Sequence, residues 1–328
     1  MNIPLNGLGV HALPRHEYRT MRTIYEGPTW QTPSIAAEDR AYLTLSNPRF
    51  EALHDRYKGH PAAAHSQWSE TNVLKRLVLA EFRGDNHYVY QARHSPSPES
   101  YCITAYYMRD IDSLDLFGRL LEDGKFGAYV LPFESGYPIS RDLLDSINEI
   151  NFIYKILGLN QDDGVKLLDI GAGYGRLASR IAEGFPRAHV TCTDAVPLST
   201  FLCEFYLRFR GASDRVEVVP LDEVIRTLSG NKFDIVTNIH SFSECPLAAV
   251  EWWLRTLQNI DVSKLMIIPN AARQFLSTEH DGSHRDYATL LQSCGWRHVH
   301  DEPIFVASEV AQKYGLYPNF RFFLFERT

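Results

Sequence analysis

The stretch "VKLLDIGAGYGRLASRIAEGFPRAHVTCTDAVP", Val165 to Pro197, constrains the fold of this chain more than any other. An apolar run carrying Asp169 opens directly onto alternating glycines, Gly171, Gly173 and Gly175, and a second apolar run ends at Asp194. Strand, glycine turn, helix and strand in that order predict a βαβ unit of a parallel sheet. The glycines let backbone approach a ligand where any Cβ would collide. They also lead into a helix N-terminus, whose free N–H groups favour polar ligand atoms.

The same alternation extends over the rest of the chain from Ile139. "SRDLLDSINEINFIYKILGL" carries Leu144, Ile147, Ile150 and Tyr154 at helical spacing. Strands are predicted at "VKLLDI", "AHVTCT", "RVEVVP", "FDIVTNI" and "KLMIIP", with helices over 175–183, 197–210, 221–228 and 246–259 between them. "YATLLQSCGWRHVHDEPIFV" reads as helix, Gly-Trp turn and strand, and "NFRFFLFERT" adds a last strand a loop away. Neighbouring strands without a crossover predict an antiparallel pair at one sheet edge. The expected fold is α/β: a doubly wound, seven-stranded, mostly parallel sheet.

Residues 1–138 lack this regularity and predict an α+β accessory region, set against a sheet domain over 139–328. "SNPRFEALHDRYKG" predicts a helix capped by Ser46 or Asn47 with Pro48 in its first turn. "HYVYQAR" and "YCITAYYMRD", separated by "HSPSPES", predict a hairpin. "DSLDLFGRLLEDGKFG" predicts a helix closed by Asp-Gly. The exposed edge of such a hairpin makes a homodimer the expected assembly.

The 328 residues suffice for one large domain or two ordinary ones. With 33 basic and 40 acidic residues the net charge is −7, which argues against broad attraction to nucleic acid or to an anionic membrane. The five cysteines, Cys102, Cys192, Cys203, Cys245 and Cys294, form no C-x-x-C pair and predict free thiols in a reducing compartment. No apolar run has the length to cross a bilayer, and "MNIPLNGLGVHALPRHEYR" lacks the pattern of a secretion signal. A cytoplasmic location is expected, without nucleic-acid or membrane partners.

Three details bear on the ligand. The glycine spacing is G-x-G-x-G and not the G-x-G-x-x-G of dinucleotide binders. Asp169 would repel a pyrophosphate and welcome an ammonium, while Asp194 stands where a carboxylate accepts both hydroxyls of a ribose. A ribose and a positive amino group without a phosphate describe S-adenosyl-L-methionine. The bland alternative is a tight βα turn that binds nothing.

"LLDIGAGYGRL" closely resembles the cofactor motif of class I S-adenosylmethionine-dependent methyltransferases, and the predicted strand order is the one that family has. The resemblance implies that Asp169, Gly171 and Gly173 line the methionine part and Asp194 the ribose, with Gly175 a further residue of the cofactor-binding loop. It places Pro220, Leu221 and Asp222 beside the adenine, although Leu221 reads equally well as core and Asp222 as a helix cap. Arg141 and the helix face of Asp142, Ser146 and Glu149 are candidates for the cofactor's carboxylate and amino group. The alternative for that face is solvent exposure behind a Ser140 cap.

"FDIVTNIHSFSECP" leaves a strand and abruptly becomes polar, which puts Asn238, His240, Ser241 and Glu244 at the ligand end of the sheet. Methyl transfer is an in-line displacement, so the protein mainly aligns the acceptor, but an alcohol must also lose a proton. Histidine is the natural base near neutral pH. His240 is the first candidate, with Glu244 to orient it or to hold a hydroxyl; alternatively, His240 only caps the strand and packs on Phe242. "NAARQFLSTEHDGSHRDYATLL" supplies His280 and His284 as rival bases, or is a solvated loop with Asp281 or Ser283 capping the next helix. The H-x-x-x-H spacing suits a metal, but Asp-Gly-Ser favours a turn, and no metal is expected.

"FRGDNHYVYQ", "LEDGKFGAYV", "ISRDLLDSINEINFI", "LLDIGAGYGRL" and "NIHSFSE" together resemble the sugar O-methyltransferase family from about Trp68 onward. Cys245 stands where that pattern has methionine. The resemblance implies methyl transfer to a hydroxyl of a sugar or glycosylated metabolite. Trp68, Arg83, Asp85, Asn86, Tyr88, Tyr90, Gln91, Tyr106 and Tyr107 are the planar polar and aromatic groups that suit a sugar, or else cross-strand packing. A non-sugar hydroxyl or amine acceptor, a noncatalytic cofactor-binding partner and a nicotinamide oxidoreductase are the competing readings.

Overall fold

A computed structural model describes residues 33–63, 68, 73, 76–89, 91, 97–271 and 273–328. These fall into two compact units, one of residues up to 43, 76–153 and 304–319, the other of 44–75, 154–303 and 320–328.

In the first unit, Pro98–Ile111 is a helix and not the second strand of a hairpin. Its aromatic residues turn inward: Tyr101 packs edge-on to Tyr129, Tyr106 to Phe133 and Tyr107 to Phe305. The β preference of such residues measures fit to a half-buried surface, and burial on several sides overrides it. In "HYVYQAR", Asn86 Oδ1 instead accepts the N–H groups of Tyr88 and Val89 in a turn, while Tyr90, Ala92 and Arg93 lie outside the described residues. The hairpin edge on which the homodimer expectation rested is therefore absent among the described residues. The strands that do pair are β1 (Leu131–Phe133) and β2 (Tyr137–Ile139), antiparallel.

The helix expected over "DSLDLFGRLLEDGKFG" is shortened to Leu116–Arg119. Beyond it the chain bends so that Glu122 and Asp123 reach Arg83, at 2.8 and 3.0 Å, with Gly124, Phe126 and Gly127 all at positive φ. Asp142 lies 3.5 Å from the same guanidinium. Ser140 donates to Glu122 and accepts the Leu143 N–H, capping the helix Arg141–Leu157 as the alternative reading of that helix had it. Three of the motifs noted above thus meet at one buried arginine, whose burial demands such partners. Asp142, Ser146 and Glu149 are buried, not a solvated face.

The second unit contains the central sheet. Its strands are β3 (Lys166–Ile170), β4 (His189–Thr193), β5 (Val216–Val218), β6 (Ile235–Ile239), β7 (Lys264–Ile268), β10 (Trp296–Pro303) and β11 (Arg321–Arg327). A separate hairpin of β8 (Leu276–Thr278) and β9 (His284–Asp286) was not foreseen. The sheet order is β10-β11-β7-β6-β3-β4-β5, parallel from β5 to β7 and antiparallel at β11 and β10. This is the doubly wound order expected from the sequence. A short helix, Glu309–Tyr314, interrupts the last connection, which was expected to be a plain loop. The outer strand β10 carries a bulge between His298 and His300 and exposed Arg297, His298 and His300, features that blunt an edge against pairing.

The chain steps outward from β3 through β4 to β5, then crosses back to place β6 on the other side of β3, so the strand order reverses there. That reversal opens a crevice at the carboxyl ends of these strands, where open α/β sheets bind ligands. The helix Pro48–Tyr57, capped by Asn47 as expected, belongs to this unit. All five cysteines are free, and no helix among the described residues is long and apolar enough to cross a membrane.

Candidate active site

The register sets Thr237 beside Asp169, and Thr237 Oγ1 donates to Asp169 Oδ1 at 2.7 Å. Burial pushes this carboxyl up from 3.8 to about 6, against the lowering effects of the Thr237 hydrogen bond and the Arg176 charge. Thr237 is the single hydroxyl in the run "FDIVTNI", and its significance needed the strand register.

Gly171 leaves β3 with φ 75°, and a Cβ there would lie 2.1 Å from Ser241 Oγ and 2.4 Å from Ser241 Cβ. The missing side chain is thus demanded by the turn after β6. Asn238 ties these parts together: its Nδ2 donates to Ile170 O and Ser241 Oγ, and its Oδ1 accepts the Phe242 N–H. Gly175 has a different reason to be glycine. A Cβ there would meet Cys203 Sγ at 3.0 Å, so it serves packing against the helix Pro197–Phe209.

Asp194 Oδ2 accepts the Gly173 N–H at 2.9 Å and Oδ1 the Val196 N–H at 2.8 Å. Burial raises this carboxyl to about 7; the two N–H bonds oppose that, and the nearby charges of Glu244 and Asp169 add to it. Each oxygen retains acceptor capacity for a hydroxyl.

Leu221 is buried and donates its N–H to Tyr57 Oη at 2.8 Å. Asp222 is held bidentately by Arg56, at 2.9 and 2.8 Å, and Arg56 also reaches Glu223. Sequence reasoning missed Arg56 and Tyr57, because nothing in "SNPRFEALHDRYKG" reveals that its last turn packs on a loop 164 residues away.

His240 follows β6 at φ 67°, ψ −32°, a region costly for a residue with a Cβ. Its N–H donates to Ile268 O at 2.8 Å, and its ring lies 4.7 Å from that of Phe320. Glu244 Oε2 accepts the Trp68 indole N–H at 2.9 Å, and its Oε1 lies 3.5 Å from Asn270 Nδ2. His284 is exposed on β9, with Nδ1–H donated to Ser277 O at 3.0 Å. Asp281 closes a turn on Ser283 and caps no helix; Asp286 accepts the Ala288 N–H at the following helix, and Glu279 caps Leu247–Leu257. Arg141 and Glu149 lie in the other unit, Arg141 paired with Asp145 and stacked 4.6 Å over Tyr317, Glu149 buried. Among the described residues no group of three His, Cys, Asp or Glu is gathered to hold a metal.

The structure therefore brings Asp169, Gly171, Gly173, Asp194, Asn238 and Ser241 into one hydrogen-bonded and closely packed set, with the Glu244 charge felt at Asp194. His284 stands on a separate hairpin.

No protein-family model and no curated protein matches the sequence. Among solved structures, the chain is similar to the mitomycin 7-O-methyltransferase MmcR, at 20% identity over 56% of this chain and 57% of that one, with a TM-score of 0.39. It is similar to a SAM-dependent methyltransferase from Aquifex aeolicus at 16% identity, over 53% of this chain and 87% of that one, with a TM-score of 0.39. The cyclase SpnF matches at 17% identity over 56% of this chain and 83% of that one, with a TM-score of 0.41. The fold is established here by strand order and register, and the activities of these proteins are their own.

Proposed function

We propose that this chain is an S-adenosyl-L-methionine-dependent O-methyltransferase acting on a hydroxyl of a sugar or glycosylated metabolite. The observation that carries this reading is the pair of buried carboxyls, Asp169 and Asp194, at the ends of adjacent strands, one raised to about 6 and the other to about 7. Buried acids with so little compensating charge suit a ligand that brings a cation and hydroxyl donors. The donor set fits: Asp169 for an ammonium, Asp194 for a ribose diol, and the Gly171 turn for close backbone approach. A phosphate-bearing dinucleotide meets repulsion from the same groups.

S-adenosylmethionine supplies, when bound, a methyl group made electrophilic by its sulfonium. The residues of this chain then have to orient the acceptor and remove its proton. His240 takes that proton, its backbone anchored to the end of β7. Glu244, steadied by Trp68, holds a neighbouring hydroxyl. His284, with Nδ1–H committed to Ser277, keeps Nε2 for a proton and is the second position to test as base. The sugar class is supported by the grouping of an indole, a carboxylate and the Asn270 amide at Glu244, since polyols are held by planar polar groups and aromatic faces. Trp68 comes from the region before residue 138, to which we assign acceptor binding.

Thermal shift tests the cofactor: S-adenosylhomocysteine is expected to raise the melting temperature and NAD to leave it unchanged. Absence of any shift with the former rejects the reading. A methyl-transfer screen over nucleotide sugars, free sugars and glycosylated metabolites tests the acceptor, and activity confined to unglycosylated compounds rejects the sugar class.

The raised carboxyls also predict a pH dependence. Both folded-state values lie above the ordinary 3.8, so their contribution to stability is complete below about 4 and is lost as pH rises through about 6 and about 7. A bound ammonium at Asp169 and ribose hydroxyls donating to Asp194 reverse this by favouring the ionised forms. The stabilisation by S-adenosylhomocysteine should therefore grow between pH 5.5 and 8, by roughly tenfold or more in affinity. Titration calorimetry across that range checks it, and a flat profile contradicts it.

A further inference from the structure

A buried chain of hydrogen bonds joins the turn after β5 to the end of β4. Leu221 N–H donates to Tyr57 Oη at 2.8 Å, Tyr57 Oη lies 2.9 Å from Thr200 Oγ1, and Thr200 Oγ1 lies 3.5 Å from Asp194 O. Tyr57 and Thr200 are buried, and burial pushes the phenol up to about 12, so it stays protonated. One arrangement of protons leaves neither hydroxyl proton without an acceptor: Tyr57 accepts from Leu221 and donates to Thr200, and Thr200 donates to the Asp194 carbonyl. The helix that carries Tyr57 is itself fastened at two further points, Arg49 to Glu204 at 2.8 and 2.5 Å and Arg56 to Asp222 and Glu223.

The two ends of this chain are the positions that the cofactor reading assigns to adenine and ribose. We propose that Tyr57 and Thr200 are positioning residues of the nucleoside pocket, setting the spacing between the Leu221 turn and Asp194 so that base and ribose are held in one register. The inference rests on an adenine nucleoside being the ligand. Neither residue touches the reacting atoms. Their effect is on binding of the nucleoside, which is why a segment outside the βα repeat is built into this side of the sheet.

The test uses Thr200→Val, which keeps shape and removes the hydroxyl, Thr200→Ser, which restores it, and Tyr57→Phe. S-adenosylhomocysteine and 5′-methylthioadenosine, which lacks the amino-acid arm, serve as probes in titration calorimetry of the full chain. Thr200→Val and Tyr57→Phe are expected to weaken both ligands by the same factor, roughly 10- to 30-fold, with Thr200→Ser within about threefold of the parent. The cofactor KM should rise by that factor with kcat at saturation unchanged. Equal affinity in Thr200→Val and the parent overturns the proposal, as does a loss confined to kcat or a Thr200→Ser variant as weak as Thr200→Val. Should Thr200→Val not fold, Tyr57→Phe decides by the same criteria. A parent protein that binds neither probe defeats the cofactor reading itself, an outcome distinct from these.

Discussion

Asp169→Asn should weaken S-adenosylhomocysteine binding more than a hundredfold, with a matching loss of kcat/KM for the cofactor, while leaving the free protein at least as stable as the parent. Asparagine keeps the size of the side chain and an Oδ1 for the Thr237 hydroxyl, which donates there at 2.7 Å. It removes a charge that burial raises from 3.8 to about 6. Two pKa units correspond to an upper limit of about 3 kcal/mol of strain relieved above pH 6, and an unsatisfied Nδ2 offsets part of it. A gain of roughly 1–2 kcal/mol is expected, which amounts to a few degrees in melting temperature for a chain of this size. The ligand loses a charge-assisted hydrogen bond in a buried site, worth on the order of 3 kcal/mol, or more than a hundredfold in affinity. Opposite signs for stability and binding are the signature. A variant that still shows the full ligand-induced shift, or one that melts well below the parent, would falsify the assignment of Asp169 as a ligand carboxylate.

The same reasoning explains why this end of the sheet departs from the economy of the core. Below it, Leu167, Leu168, Ile235, Val236 and Leu265 are apolar and buried. Above it stand two buried acids and a histidine at positive φ, each costly in an isolated fold and each expected where a site is pre-organised.

How much of this was legible in the sequence follows from the range of each interaction. The alternation of β3 to β7 with helices, Asp169 before the glycines and Asp194 after the next strand are local patterns, and the sheet bears them out. Gly171 could be recognised as special, but the atom that requires it, Ser241 Oγ, lies on another strand's turn. Thr237 needed the β3–β6 register, and Tyr57 needed the docking of a helix from a distant part of the chain. The clearest error, "YCITAYYMRD" as a strand, came from composition. Its Tyr101, Tyr106 and Tyr107 have β-forming side chains, yet Pro98 opens a helix whose contacts on several sides bury all three. Asp222, read as a ligand or a cap, is spent on Arg56, a partner that no spacing rule reaches.

His240→Asn should reduce turnover by roughly 10²- to 10⁴-fold, the usual contribution of a general base, with the affinity for S-adenosylhomocysteine unchanged within about twofold. The backbone makes this substitution a clean one. His240 sits at φ 67°, ψ −32°, outside the left-handed helical region, where asparagine meets the same backbone cost as histidine, so the turn should persist and stability should hold. The main-chain bond to Ile268 does not depend on the side chain. Asparagine offers no nitrogen that can take up a proton near neutrality, so the acidic limb of the kcat profile at saturating cofactor, where Asp169 and Asp194 no longer limit binding, should disappear along with the rate. His284→Asn, on the exposed hairpin, should leave both limb and rate in place. The reverse outcome, full activity in His240→Asn and its loss in His284→Asn, would transfer the proton-accepting role to β9. Loss of S-adenosylhomocysteine affinity in His240→Asn would instead show that the turn after β6 serves the cofactor, through the packing of Ser241 on Gly171, and leaves the acceptor's proton to another group.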